Sequence, residues 1–291
     1  MPLPRPRRPG PAVPELPEIE TIRRDLTPLV VGRTLERVRI LPGAERLAVT
    51  HPPRELERLL GGRLIGGTAR HGKYLLLALD DGRHWVIHLR MTGSLVHERA
   101  AGGRAAAPAG ARYERARASL DDGSALSLRD VRKFATWHLV AEPREAFPRA
   151  GPDALSEGFS ARWLGRALAR RSVAVKSALL DQAVAAGVGN IYADEACWRA
   201  GIDPRTPANR LGRRRVARLH AAVGEALHAS LADRGSSFSD YRDGLGAEGM
   251  HTVRVQVFRR EGQPCRRCGA IIVKRRVGGR GTHLCPGCQR R

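Results

Sequence analysis

The sequence predicts an α+β multidomain chain with a β-rich first domain, a helical second domain and a cysteine module at the C-terminus. Three observations predict this arrangement. Short apolar runs separated by turn signals fill the first half, and apolar residues at helical spacing begin near residue 160. Two Cys-x-x-Cys pairs lie near the end of the chain. A chain of 291 residues is long enough for two domains and a small module.

The chain is strongly basic, with a formal net charge of +22 and 51 Lys and Arg, of which only four are Lys. A positive field of this size indicates a polyanionic partner, usually nucleic acid. Aromatic residues make up only 4%, too few for a single-strand stacking platform. No apolar run reaches the ~18 residues of a membrane span, and residues 1–12 lack the apolar segment of a signal peptide. We therefore expect a cytoplasmic, monomeric protein that works beside the chromosome.

The segment Pro14-Glu15-Leu16-Pro17-Glu18 carries the most chemical information. An N-terminal proline has a secondary amine that can attack a sugar carbon and form an iminium, whereas an internal proline is an amide and cannot. Residue 13 is Val. A GTG codon is read as methionine where translation starts and as Val inside a reading frame, so Val13 is a candidate start. We expect residues 1–13 to be an upstream extension and the native chain to begin at Pro14, just before a helix.

The first domain is expected over residues 14–143. Leu-Asp-Asp-Gly occurs at 79–82 and again at 120–123, each time between apolar runs, which is a hairpin signal. The Gly/Ala/Pro-rich segment 100–111 is expected to be a mobile surface loop. The strands are predicted at 34–41, 64–69, 74–79, 84–90, 112–120, 124–129 and 134–141.

The second domain is expected over residues 150–245, with helices at 160–170, 173–186, 190–200 and 212–232. Gly187 and Gly189 should end one helix, and Asn190 should cap the next. The free N–H groups of that helix start suit a phosphate, although a plain turn between helices is the alternative.

The cysteine module is expected over residues 246–291, which carry a net charge of +9. Two Cys-x-x-Cys knuckles separated by 16 residues predict one structural Zn²⁺ in a closed four-thiolate shell. Between the knuckles, Arg280 lies in a Gly-rich basic loop that could reach a phosphate or could simply be solvated. The predicted ligands are Cys265, Cys268, Cys285 and Cys288.

Lys73 lies in His-Gly-Lys-Tyr before an apolar strand. A lysine can carry a proton where an arginine cannot, but by position alone a solvated charge at a strand start is the favoured explanation. By residue type alone, Met91 and Phe134 would be assigned to the core, and Cys197 to a buried helix face.

Taken together, these motifs resemble the bifunctional formamidopyrimidine-DNA glycosylase and endonuclease VIII family of base-excision repair. Six occur in family order: Pro-Glu-Leu-Pro-Glu, His-Gly-Lys-Tyr, Met91, Arg-x-Phe, Gly-x-Gly-Asn-Ile-Tyr and the Arg-bearing zinc hairpin. The resemblance covers about residues 14–291. It implies a β-sandwich with flanking helices, a helix–two-turns–helix domain and a zinc-ribbon-like finger, with damaged double-stranded DNA between them.

The resemblance also implies roles for single residues. Pro14 would attack C1′ of the damaged nucleotide, and Glu15 would protonate the opening sugar. Lys73 would contact phosphate and assist β-elimination. Asn190 and Arg280 would clamp phosphates around the flipped nucleotide, with Arg280 tied to δ-elimination.

Further residues match DNA-contacting positions of the family. Met91, Arg132 and Phe134 would fill the gap left by the extruded base. Tyr113 stands where many members have a His that contacts phosphate. The segment 246–252 lacks the aromatic residues usual in the family's purine-recognition loop.

The residue after Glu15 is Leu16, which favours the branch that removes oxidised purines. Two alternatives remain open at this point. One is an oxidised-pyrimidine glycosylase on the same scaffold. The other is a non-catalytic binder of damaged DNA, if the chain truly starts at Met1.

Overall fold

A computed structural model describes residues 14–99, 112–238 and 241–291. The expected extension 1–13 and the expected loop 100–111 lie outside these residues. The helices in the described part are α1 (Leu16–Val30), α2 (Pro53–Leu60), α3 (Ala161–Ala169), α4 (Val175–Leu180), α5 (Asn190–Arg199) and α6 (Arg213–Ala232). None of them is long and apolar enough to cross a membrane.

The strands form two four-stranded antiparallel sheets and one hairpin. The strands are β1 (Leu35–Ile40), β2 (Ile65–His71), β3 (Tyr74–Leu79), β4 (His84–His88), β5 (Gly93–Glu98), β6 (Glu114–Leu120), β7 (Ala125–Asp130), β8 (Thr136–Val140), β9 (Val273–Val277) and β10 (Arg280–Leu284). The sheet orders are β1-β6-β7-β5 and β2-β3-β4-β8, and β9 pairs with β10.

The two four-stranded sheets bury one common core, which confirms the β-sandwich. Apolar side chains of both sheets and of α1 belong to this core. At its centre Trp85 and Trp137 meet edge to face, with ring centroids 4.6 Å apart. Such an arrangement suits the aromatic quadrupole and holds β4 against β8.

Helix α1 joins the sandwich to the helical domain. Ile19 and Ile22 lie in the sandwich core, whereas Leu16, at the start of the helix, lies in the core of α3–α6. The Leu16 N–H donates to the carbonyl of Gly187 at 3.1 Å. Gly187 has φ +100, and a Cβ there would lie 2.5 Å from Leu16 Cδ1, so only glycine permits this approach.

Several boundaries differ from the sequence-based expectation. The strand predicted at 84–90 ends at His88, because Arg90 adopts φ +55 and leaves the sheet. Strand β5 and helix α2 were not predicted. Strand β5 contains one short apolar pair, and its place depends on pairing with β7 rather than on its own pattern.

The helix predicted at 173–186 was wrong in length, because α4 ends at Leu180. From there the Gln182 side chain replaces the helical hydrogen bonds. Its Nε2 donates to the carbonyls of Leu180 and Val188 at 3.0 and 2.9 Å, and its Oε1 accepts the Gly187 N–H at 2.9 Å. The chain therefore turns towards α5 instead of continuing as a helix.

Candidate active site

A cleft of about 1140 Å³ lies between the sandwich, the helical domain and the zinc hairpin. The structure brings five of the sequence-predicted site residues to its walls, and they come from all three parts of the chain. These residues are Glu15, Lys73, Met91, Asn190 and Arg280.

Glu15 lies at the floor of the cleft and is 2% exposed. Its Oε1 accepts the N–H of Ile191 in the first turn of α5 at 2.9 Å. The preceding Gly189 allows this, because a Cβ there would overlap the Glu15 carboxyl group. The first N–H groups of this helix are therefore taken by a carboxyl group of the chain, and the alternative of a phosphate on free N–H groups does not apply.

The helix cap was also predicted incorrectly. Gly189 is the N-cap, and Asn190 is the first residue of α5. The Asn190 side chain instead reaches the zinc hairpin, where its Nδ2 donates to the carbonyl of Gly281 at 3.2 Å. Asn190 thus joins the helical domain to the backbone beside Arg280.

Burial raises the pKa of Glu15 from 4.5 to about 7. The Lys73 charge and the N–H groups of α5 oppose this increase, while the neighbouring Glu18 carboxyl reinforces it. A carboxyl with a pKa near 7 can hold or release a proton close to neutral pH, as a general acid or base requires.

Glu18 forms a second buried carboxyl directly behind Glu15. Its Oε2 accepts the Glu15 backbone N–H at 2.9 Å, and its Oε1 accepts the Tyr192 hydroxyl and the Ser236 N–H at 2.6 and 2.7 Å. Burial raises the pKa of Glu18 as well. This network fixes the backbone at the position that follows Pro14, which is itself buried.

Lys73 sits at the tight turn between β2 and β3. Gly72 adopts φ +57, and its N–H donates to Asp153 at 2.6 Å. Burial lowers the pKa of Lys73; the Glu15 and Glu18 carboxyls oppose this decrease. Lys73 is half-buried and lines the cleft, so it is not a simple solvated charge at a strand start.

The zinc hairpin presents Arg280, whose side chain is exposed at the cleft. The turn residues Gly278 and Gly279 both have positive φ, at 53 and 77 degrees. Buried Lys176 on α4 anchors the hairpin, since its Nζ donates to the Gly281 carbonyl at 2.9 Å and to the Thr282 hydroxyl at 2.8 Å. Sequence reasoning missed Lys176, although it is one of only four lysines.

The four cysteines predicted to bind metal come together. Their sulfur atoms all lie within 4.8 Å of one another. The Cys265–Cys288 and Cys268–Cys285 sulfur pairs are 3.8 and 3.4 Å apart. A tetrahedral zinc with bonds of ~2.3 Å requires sulfur separations of about 3.8 Å. The cluster therefore fits one structural zinc.

Met91, Arg132 and Phe134 form a second group at the rim. The Arg132 Nη1 lies 3.2 Å from the Met91 sulfur, and its guanidinium lies 4.6 Å from the Phe134 ring centroid. Asp130 holds this loop, accepting the Phe134 N–H at 2.6 Å. Phe134 is 46% exposed, so the core assignment by residue type was wrong. Tyr113 is exposed elsewhere and does not line the cleft.

His88 also lines the cleft, and sequence reasoning assigned it no role. Its Nδ1 accepts the Arg90 N–H at 2.9 Å, so a neutral ring carries its proton on Nε2. Burial holds the pKa of His88 well below 6.5, which favours that neutral form. His88 comes near Lys73 because β4 pairs with β3. Without that pairing, the sequence does not show that a hydrogen-bond donor lies there.

The segment 246–252 does not line the cleft in the described structure. Met250 is 63% exposed, whereas His251 is buried, with its Nδ1 2.8 Å from Asp233.

Comparison with known proteins places this geometry in context. Three family models match the chain: the formamidopyrimidine-DNA glycosylase N-terminal domain at residues 13–137, the formamidopyrimidine-DNA glycosylase H2TH domain at 150–241, and a zinc finger found in FPG and IleRS at 262–291.

Curated relatives and solved structures agree with these matches. Formamidopyrimidine-DNA glycosylase of Roseiflexus sp. (strain RS-1) is 43% identical, covering 96% of this chain and 100% of that protein. The MutM (Fpg) structure from Thermus thermophilus is 40% identical with a TM-score of 0.82, covering 95% of this chain and 98% of that one. The Lactococcus lactis Fpg complex with Fapy-dG-containing DNA is 33% identical with a TM-score of 0.85, covering 95% and 100%. The chain belongs to the formamidopyrimidine-DNA glycosylase family.

Proposed function

We propose that this chain is a bifunctional DNA glycosylase and AP lyase that removes oxidised purines, including formamidopyrimidines, from duplex DNA in base-excision repair. Glu15 carries this proposal. It directly follows Pro14, the proline proposed to supply a terminal secondary amine, and burial raises the pKa of Glu15 to about 7. Asn190 and Arg280, from two other parts of the fold, line the same cleft.

The chemistry begins with the Pro14 amine. Its lone pair attacks C1′ of an extruded nucleotide, and the bond from C1′ to the base breaks as the base leaves with a proton. Protonated Glu15 gives its proton to the ring oxygen as the sugar opens, and the C1′–nitrogen bond becomes an iminium. Glu15 is then a carboxylate and can act as a base.

The iminium makes the C2′ proton acidic. Loss of that proton expels the 3′ phosphate by β-elimination, and a second elimination expels the 5′ phosphate. Lys73 contacts phosphate and assists the first step, and Arg280 is assigned to the second. Asn190 holds the backbone beside them.

Duplex DNA is the proposed partner, and the enzyme acts on it as a monomer in the cytoplasm. Met91, Arg132 and Phe134 fill the space that the extruded base leaves. Tyr113 contacts phosphate outside the cleft. The zinc supplies no chemistry: held by four cysteines, it pins the hairpin that presents Arg280.

The active form begins at Pro14, because a Val13–Pro14 amide has no nucleophilic lone pair. The module boundaries are proposed at 14–143, 150–245 and 246–291, with residues 1–13 as an upstream extension. Chain forms that start at Met1 and at Pro14, each verified by mass, should bind damaged DNA alike. Only the second should cleave it.

Borohydride trapping tests the covalent step. The form that begins at Pro14 should become linked to duplexes that contain oxidised guanine, because borohydride reduces the iminium to a stable amine. Pro14→Gly should trap poorly. Glu15→Gln should lose base excision yet retain some strand cleavage at preformed abasic sites. Glu36→Gln, at an exposed carboxylate of β1, is the matched control and should behave as the parent. Equal excision by Glu15→Gln would remove Glu15 from this role.

A further inference from the structure

Helix α3 carries a row of arginines on its outer face. Arg162 and Arg166 lie four residues apart in α3, Arg170 is the C-cap residue that follows it, and all three are exposed. Like charges at this spacing repel one another, whereas the last turn of the helix favours a cation such as Arg166.

A second group lies at the start of α6, against the same helix. Arg213, Arg214 and Arg218 are exposed there. The two helices touch closely, since a Cβ at Gly165 of α3 would lie 3.6 Å from Val216 Cγ1 of α6. The six arginines of these two adjacent helices are here called the arginine surface.

The arginine surface is not neutralised by the protein. Among the described residues, none of its six members has a carboxylate within 4.0 Å. Neighbouring arginines do have one: Arg171 lies 2.9 Å from Asp181, and Arg205 lies 2.6 Å from Asp203. The guanidinium charges of the six arginines are therefore available to an external anion.

The arginine surface is separate from the cleft. None of its members lines the cleft walls in the described structure. The far end of α6 lies beneath the active site, where the Ser230 hydroxyl is 2.6 Å from the Tyr192 hydroxyl. From Ser230 back to Arg213 the helix extends about 25 Å, at a rise of ~1.5 Å per residue.

We propose that the arginine surface binds the phosphate backbone of a second segment of duplex DNA while the cleft holds the first. Guanidinium groups pair with phosphates through two parallel hydrogen bonds, and duplex DNA presents one negative charge every ~1.7 Å. Binding there is independent of sequence and of damage. The protein can thus bridge two duplexes and pass from one to the other.

Stoichiometry tests this directly. Wild-type protein is mixed with an excess of a short undamaged duplex at low salt, and the mass of the complex is measured by sedimentation. We expect two duplexes per chain. Arg162→Gln, Arg166→Gln and Arg214→Gln in one chain should reduce this to one. If the variant still binds a second duplex measurably, the plot of log binding constant against log salt concentration for that step should be shallower. The slope should decrease in magnitude by about 2.7, or ~0.9 for each lost phosphate contact.

A matched variant carries Arg37→Gln, Arg39→Gln and Arg54→Gln, which remove the same charge from exposed positions of the sandwich. It should still bind two duplexes. Both variants should excise a lesion from a short duplex at the wild-type rate, which verifies folding and separates this test from the proposed activity. A stoichiometry of one duplex per wild-type chain would overturn the proposal. This holds even if the affinity for that one duplex rises with its length. Equal losses in both variants would also overturn the proposal.

Discussion

Replacing Glu15 by Gln should stabilise the protein at pH 8, although we expect the same change to abolish base excision. Burial raises the pKa of this carboxyl from 4.5 to about 7, so the folded state binds the Glu15 proton more tightly than the unfolded state does. Stability is therefore lost as pH rises from about 4.5 to about 7, the window between the two pKa values. A difference of about 2.5 in pKa corresponds to about 3 kcal/mol, at ~1.36 kcal/mol per pKa unit.

Glutamine is nearly isosteric and remains neutral, and its amide oxygen can still accept the Ile191 N–H. The gain in unfolding free energy should approach about 3 kcal/mol at pH 8 and fall below about 1 kcal/mol at pH 5, where folded Glu15 is already protonated. Urea unfolding followed by tryptophan fluorescence at both pH values measures it, with Glu36→Gln as control. A loss of stability at pH 8, or a gain that does not depend on pH, would show that the α5 N-terminus outweighs burial and refute the reasoning.

The remaining predictions concern the cleft and the zinc hairpin. The rate of base excision should decline as pH rises through about 7, because Glu15 must be protonated to act as the acid; a flat profile from pH 6 to 8 would contradict this. Metal analysis should find one zinc per chain, and Cys288→Ser should lose it and weaken DNA binding; unchanged DNA affinity of the metal-free protein would contradict this. Arg280→Ala should reduce the salt slope of DNA binding by about 0.9 and weaken all lesions alike; a changed ranking of lesions with an unchanged slope would reverse the assignment. His251→Ala should destabilise the fold by about 1–3 kcal/mol, since it removes a hydrogen bond from the largely buried Asp233 carboxylate, whereas Met250→Ala should alter only lesion preference.

Some features of the chain were correctly predicted because their signals are local. The zinc ligands follow from two short knuckles, and the hairpins follow from Leu-Asp-Asp-Gly between apolar runs. Short turns fix their own geometry, so spacing is enough to predict them.

The state of Glu15 could not be predicted in this way. The sequence placed it beside Pro14 and identified a helix start at residue 190, but the Glu15 carboxyl and the Ile191 N–H are 176 positions apart. The local pattern left a plain turn or a phosphate site at the helix start, and tertiary packing placed the Glu15 carboxyl there. Burial depends on which distant surfaces meet, and no residue pattern specifies it.

The sequence by itself therefore determined the three modules, the four zinc ligands and the residue types needed for an amine nucleophile with an adjacent carboxyl. Only the tertiary structure decided that Glu15 is buried with a pKa near 7, that Lys176 anchors the hairpin of Arg280, and that the six arginines at α3 and α6 are exposed away from the cleft. The physical reason is the distance in sequence over which each effect acts. Turns and knuckles form within a few residues, whereas desolvation and charge compensation depend on all residues that the fold brings close together.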